Sequence, residues 1–191
     1  GFLESINQNK NLKRKYVYVL DALSNKRKVS YLIENEKAYI EVAKIIGKNK
    51  DNKLDIYNAT TYGVGQVILH AINNKAKEFY IGLGGSITND GGKGMLEALG
   101  FKIIDNKIIN NMNINLDEIK FNIVSDVNSP LLGDNGATYM FSKQKGAKDS
   151  DLIILENKMK DYSNLITSYI NKDYSNHQGS GAAGGLGFAF L

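Results

Sequence analysis

Apolar and polar residues alternate through the N-terminal part of the chain. In "KYVYVLDAL" (15–23), "RKVSYLIE" (27–34) and "KAYIEVA" (37–43) a hydrophobic side chain recurs at nearly every second position. That is the period of a strand with one buried face. The turn-prone "SNK" joins the first two, and connections this short predict an antiparallel meander.

The period then lengthens. In "TTYGVGQVILHAINNKA" (60–76) Val64, Val67, Ile68, Ala71 and Ile72 recur at helical spacing behind a threonine cap, Thr60 or Thr61. "EFYIGLG" (78–84) reads as a short buried strand, and "GKGMLEALG" (92–100) as a helix closed by Gly100. "FKIID" (101–105), "FNIVSDV" (121–127) and "ATYMF" (137–141) read as further strands. From Asp149 to Asn171 one apolar face runs through Leu152, Leu155, Met159, Tyr162, Leu165, Ile166 and Tyr169. This is the longest helix, capped by Asp149 or Ser150. "GSGAAGGLGFAFL" (179–191) is a second glycine-rich turn leading into an apolar helix. A meander followed by strand–helix alternation predicts an α/β fold with a mixed sheet, spanning residues 1–191 as a single domain.

Composition narrows the class. The 191 residues are 42% hydrophobic and 23% charged, ordinary for a globular protein. No run is long enough to span a bilayer and no signal-like segment opens the sequence, so the expectation is a cytoplasmic protein with no membrane partner. The lack of cysteine excludes disulfides and thiolate metal sites. The net charge of +4 comes from scattered lysines with acids nearby, the pattern of a solvated surface. The sequence opens on "GFLES" without methionine and stops at "GFAFL"; the expectation is a piece of a longer protein.

The chemistry concentrates in "GLGGSITNDGGKG" (82–94). A strand ends there and a helix begins. Gly84 and Gly85 uncover backbone N–H groups, while Ser86, Thr88, Asn89 and Asp90 add oxygens and an amide. A helix start beside them supplies donors and a positive dipole end, the elements of an anion site. A tight turn capped by Asn89 or Asp90 would need the same residues. The loop is neither a Walker A loop, since Gly94 follows Lys93, nor a dinucleotide fingerprint, since Ile87 stands at the third glycine. In "IVSDVNSPLLGDNGA" (123–137) Asp126 falls at the end of a strand, where it suits Mg²⁺, a proton or a turn. Lys145 in "FSKQKGA" is a candidate phosphate clamp or a surface lysine. His70 and His177 are far apart and suggest no metal site.

Taken together, "TTYGVGQVI", "GLGGSITNDGGKGMLEALG", "SDVNSPLLGDNGA", "FSKQKGA" and "GSGAAGGLG" resemble the bacterial glycerate kinase family, in its order and spacing. The resemblance covers essentially everything after Lys37. It implies an enzyme that moves the γ-phosphoryl of ATP, with Mg²⁺, to a hydroxyl of glycerate. It also implies two α/β domains, one inserted into the other, with the active site in the cleft. The Asp-Ser-Phe-Lys-Gly, Asp-Gly-Gly-Glu-Gly and Thr-Gly-Glu-Gly segments of such proteins are not in this sequence. The chain therefore corresponds to the inserted domain with short flanks, and the remainder of the parent chain would be a partner.

On this resemblance Gly84, Gly85, Gly91 and Gly92 would hold phosphate or carboxylate oxygens, and Ser86, Thr88 and Asn89 would orient the ligand. Asp90 is the first candidate for general base or Mg²⁺ ligand, Asp126 the second, and Lys145 would neutralise charge. One rival is a non-catalytic domain. Another is a basic nucleic-acid-binding domain, which needs aromatics interleaved with lysines on one exposed face. The tyrosines lie mostly in alternating strands that read as core, so no nucleic-acid partner is expected.

Overall fold

The structure, a computed structural model, describes residues 1–8, 10–48 and 54–191. A short helix, α1 (Phe2–Asn7), precedes the three alternating segments, and each of these forms a strand. β1 (Lys13–Leu20), β2 (Lys26–Glu34) and β3 (Lys37–Glu41) pair antiparallel, as their short connections require. β3 ends earlier than its alternation suggests, because Val42 and Ala43 enter a helix, α2 (Val42–Ile46). α3 (Tyr62–Asn73) then carries the chain back, and β4 (Glu78–Gly82) joins the sheet parallel to β3.

The glycine-rich loop leads to α4 (Lys93–Leu99), ended by left-handed Gly100. A small hairpin follows, β5 (Phe101–Ile104) with β6 (Lys107–Asn110). Its turn residues Asp105 and Asn106 both have positive φ, the conformation of a tight two-residue hairpin turn. The asparagine-rich stretch thus contains a strand that its polar composition hides. β7 (Lys120–Val124) completes the sheet parallel to β4, giving the order β1-β2-β3-β4-β7. "ATYMF" is a helix, α5 (Ala137–Phe141), not a strand. Five residues of apolar run do not distinguish the two, and Ala137 and Thr138 are buried on one side. The long helix α6 (Asp149–Ile170) and the apolar α7 (Ala182–Phe190) close the fold.

One face of the sheet meets α3: Val29, Tyr31, Ile40, Phe79 and Ile81 pack with Val64, Val67, Ile68 and Ala71. α1 covers part of the other face, with Leu3 beside Leu32 and Tyr39. α1 does not cover all of it. Tyr16 and Tyr18, read from the sequence as core, are 59% and 61% exposed. Alternation fixes that two tyrosines share a face but not which face is covered.

α3 lies so close to the sheet that a Cβ on Gly63 would sit 1.9 Å from the carbonyl oxygen of Leu20. Gly63→Ala should therefore destabilise the fold, although alanine is favoured over glycine in a helix by about 1 kcal/mol. Overpacking against an immovable backbone atom costs up to about 3 kcal/mol, so a net loss of about 2 kcal/mol is expected by urea denaturation. An unchanged or raised midpoint would show that α3 does not rest on β1 this closely.

Candidate active site

Strand register decides what meets at the sheet's edge. Glu41, Gly82 and Val124 are neighbours across the parallel ladders, so β3, β4 and β7 all end in line. This is the edge where open α/β sheets gather ligands. Glu41, Gly84, Ser125 and Asp126, with Phe2 and Ala43, line a recess of about 360 Å³ there. A Cβ on Gly84 would meet open space, and the N–H groups of Gly84 and Gly85 have no acceptor among the described residues. Glu41 is the residue that sequence reasoning missed. Its only signal was its place at the end of a strand, and the alternation ran past it.

Asp90 stands at the far end of the loop, and its carboxylate is occupied. Oδ2 accepts from the Thr61 N–H at 2.8 Å, the Thr61 hydroxyl at 2.8 Å and the Gly94 N–H at 3.1 Å, and Oδ1 accepts from the Gly92 N–H at 3.1 Å. The Thr61 hydroxyl in turn accepts from the Met95 N–H at 2.9 Å. Burial pushes the Asp90 carboxyl up from its ordinary range, and the bonds from Thr61, Gly94 and Gly92 pull it back. The donors at the start of α4, which would suit an outside anion, thus serve a carboxylate from the chain itself. The other loop glycine is also engaged: the Gly91 N–H donates to the Gly184 carbonyl at 3.0 Å. Gly91 and Gly92 were expected to offer their N–H groups to a ligand; here both are spent inside the protein.

Gly184 belongs to the second glycine-rich segment, where Ala183, Gly184 and Gly185 all take left-handed φ and kink α7 at its start. A Cβ on Gly184 would lie 2.0 Å from the Thr88 carbonyl oxygen. The two glycine-rich segments are therefore packed backbone on backbone. This is why both are rich in glycine.

Lys145 lies beneath the loop, 4% exposed, and its ammonium donates to the Thr88 carbonyl at 2.8 Å. Burial lowers its pKa to about 8, against the opposing pull of Asp90. Thr138 and Ser142 are buried nearby, and the Asn89 amide donates to the Thr138 hydroxyl at 3.2 Å. The hydroxyls of Ser86 and Ser142 and Oδ1 of Asn89 are buried without a partner. Native interiors seldom leave such groups unpaired, so the loop keeps spare hydrogen-bonding capacity.

The sequence-derived residues thus fall into separate places. Gly84 and Asp126 share the recess at the sheet edge. Ser86, Thr88 and Lys145 are buried behind it. Asn89 and Asp90 border a second recess, of about 370 Å³, beneath α6 with Lys93 and Lys158. Thr138, bonded to Asn89, and Ser142, buried beside it, were not singled out from the sequence, and Thr61 was singled out only as a helix cap.

A family model described as the glycerate kinase family matches residues 1–191. A glycerate kinase of Bacillus cereus is 36% identical over 83% of this chain and 46% of its own length. A glycerate 2-kinase of Escherichia coli is 34% identical over 93% of this chain and 52% of its own length. The crystal structure of a protein described as a candidate glycerate kinase 2 from Salmonella typhimurium superposes with a TM-score of 0.92 at 29% identity, over 98% of this chain and 56% of that one. The chain belongs to the glycerate kinase family, and it spans about half the length of the curated relatives it matches.

Two measurements test the network around Asp90. Asp90→Asn puts an amide NH₂ among four donors, so it should cost about 2–4 kcal/mol, the scale of lost bonds to a charged group plus an unpaired donor. A melting temperature equal to the parent's would mean that Asp90 is only a replaceable cap. For Lys145, the unfolded chain binds more protons than the folded one between about pH 8 and the ordinary 10.5. Stability should therefore rise with pH across that window, relative to Lys145→Met, by about 3 kcal/mol. Parallel pH profiles for the two proteins would place the ammonium in water.

Proposed function

We propose that this chain forms one wall of the active site of an ATP-dependent glycerate kinase, and that the rest of the family's length supplies the other wall. The observation that carries this reading is the register that lines up Glu41, Gly84 and Asp126 around one recess. The name of the Escherichia coli relative points to the 2-position of glycerate as the acceptor. Among the described residues no helix is long and apolar enough to cross a membrane.

Phosphoryl transfer asks the protein mainly for positioning and electrostatic stabilisation. The N–H groups of Gly84 and Gly85 would bind phosphate or carboxylate oxygens. Mg²⁺ would be held here by Glu41 and Asp126, since the ion is usually bound by one or two carboxylates plus substrate phosphates; Glu41 would use Oε1, because its Oε2 accepts from the Leu3 N–H at 3.1 Å. When bound it would neutralise charge on the phosphates. Asp90 Oδ2 is filled by three donors while Oδ1 accepts only from Gly92, so its first part would be to fix the loop that presents Gly84 to Asn89, with one Oδ1 lone pair left toward the second recess. Lys145 would contribute its charge from below, through the Thr88 carbonyl.

The test compares this chain with the complete polypeptide that carries it, in a coupled assay of ADP release with ATP and glycerate. The chain alone should show no turnover. The complete enzyme should reach the range of about 1–100 per second usual for kinases. Asp126→Asn or Glu41→Gln in the complete enzyme should lower kcat by about 10²-fold or more while leaving the melting temperature near the parent's. Full turnover by the chain alone would overturn the two-wall reading, and normal kcat in both variants would remove the recess from the mechanism.

A further inference from the structure

The exposed face of the β1–β2 hairpin carries chemistry that phosphoryl transfer does not use. Pairing puts Arg14, Tyr16 and Tyr18 on the same face as Lys26, Lys28 and Ser30, while Val17, Val19, Val29 and Tyr31 turn to the core. The Lys28 ammonium lies 5.1 Å from the centre of the Tyr16 ring, and that of Lys26 4.9 Å from the centre of Tyr18. Arg14 donates to the Ser30 hydroxyl at 3.0 Å. From Lys13 to Glu34 the hairpin holds Lys13, Arg14, Lys15, Lys26, Arg27 and Lys28, against Asp21 and, at the far end of β2, Glu34. Asp21 is buried and binds its own turn. β1 is also the edge of the sheet.

We propose that this face binds single-stranded nucleic acid, with bases stacked on Tyr16 and Tyr18 and phosphates met by Arg14, Lys26 and Lys28. Aromatic rings displayed two residues apart on a sheet, with cations between them, form a stacking platform along which a flexible strand can lie. The partner must be anionic, because Arg14, Lys26 and Lys28 around the two rings outweigh the single acid of this face, Glu34, at the far end of β2. It must also use flat apolar surface, because two large rings stand in water where other tyrosines of the sheet are covered. An acidic protein segment would satisfy the cations but leave the ring faces unused. The lysines over the rings are no obstacle: exposed cation–π contacts are weak, and a base replacing an ammonium frees it for a phosphate. None of these residues lines the sheet-edge recess, so the proposal stands apart from the kinase reading.

Fluorescence anisotropy of labelled oligo(dT) and oligo(U) with the complete polypeptide that carries this chain, titrated at low and at physiological salt, tests it. Binding at about 10⁻⁴ to 10⁻⁶ M is expected, with a salt slope near −2 from about three phosphate contacts on a single strand. The double variant Tyr16→Ala/Tyr18→Ala should weaken binding about tenfold or more at unchanged charge, and Tyr16→Phe/Tyr18→Phe should restore it. Heparin, which has charge but no bases, should bind equally well to the parent and to the alanine variant. Equal binding of the oligonucleotides to parent and alanine variant would overturn the proposal in favour of a general polyanion or acidic-protein surface. So would the absence of binding at low salt. Since all these side chains are exposed, the variants should keep the parent's melting temperature, and each result reads on the surface itself.

Discussion

Four donors from two distant parts of the chain converge on the carboxylate of Asp90, and the site's geometry depends on that convergence. Thr61 comes from the start of α3, Gly92 and Gly94 from the start of α4, and Asp90 from the loop after β4. Each helix start would otherwise leave N–H groups without partners in a largely dry interior. Hydrogen bonds to a charged acceptor contribute about 1.5–3 kcal/mol each, more than a neutral pair. A single side chain thus satisfies two helix starts and fixes the angle between them. The path of the loop from Gly84 to Asp90 follows from where those helices sit.

The loop is held from below as well. The Gly91 N–H is bonded to the Gly184 carbonyl, the Thr88 carbonyl accepts from Lys145, and Gly184 leaves no room for a side chain beside it. A buried ammonium with one protein acceptor is expensive, and the left-handed conformation of Ala183 adds to the cost. Neither is needed to close an α/β core. Both make sense if the loop must stay in one conformation before a ligand arrives, since pre-set donors lose no entropy on binding.

Much of this was legible in the sequence, because it is written in local patterns. The alternation of the meander, the helical spacing of Val64, Val67, Ile68 and Ala71, and the glycine-rich strand-to-helix turn all appear where the periods place them. What was not legible depends on long-range partners. Glu41 becomes a site residue only because the register sets it beside Gly82, and no local pattern states a register. Asp90 looks like a free carboxylate until Thr61, 29 residues earlier, is seen to bond it. The exposure of Tyr16 and Tyr18 follows from where α1 stops, not from their own strand. "ATYMF" is too short for its period to decide between helix and strand.

The distribution of charge ties these parts to chemistry. The recess at the sheet edge presents two carboxylates, Glu41 and Asp126, and no cation among its lining residues. Lys44 lies 3.8 Å from Glu41 but also pairs with Glu4. Such a recess by itself repels a nucleotide triphosphate and a hydroxy acid alike, since like charges at close range disfavour binding. Lys145 cannot compensate from the surface because it is enclosed behind Thr88. Under the phosphotransferase reading, anionic substrates and acidic walls become compatible only when a divalent cation lies between them or when basic groups arrive from the other half of the enzyme. The loop amides then give direction to charge that the cation has made tolerable. On that reading such a site would bind its substrates only once a cation or those basic groups offset its walls, which would make its acidity a condition of selectivity rather than a defect.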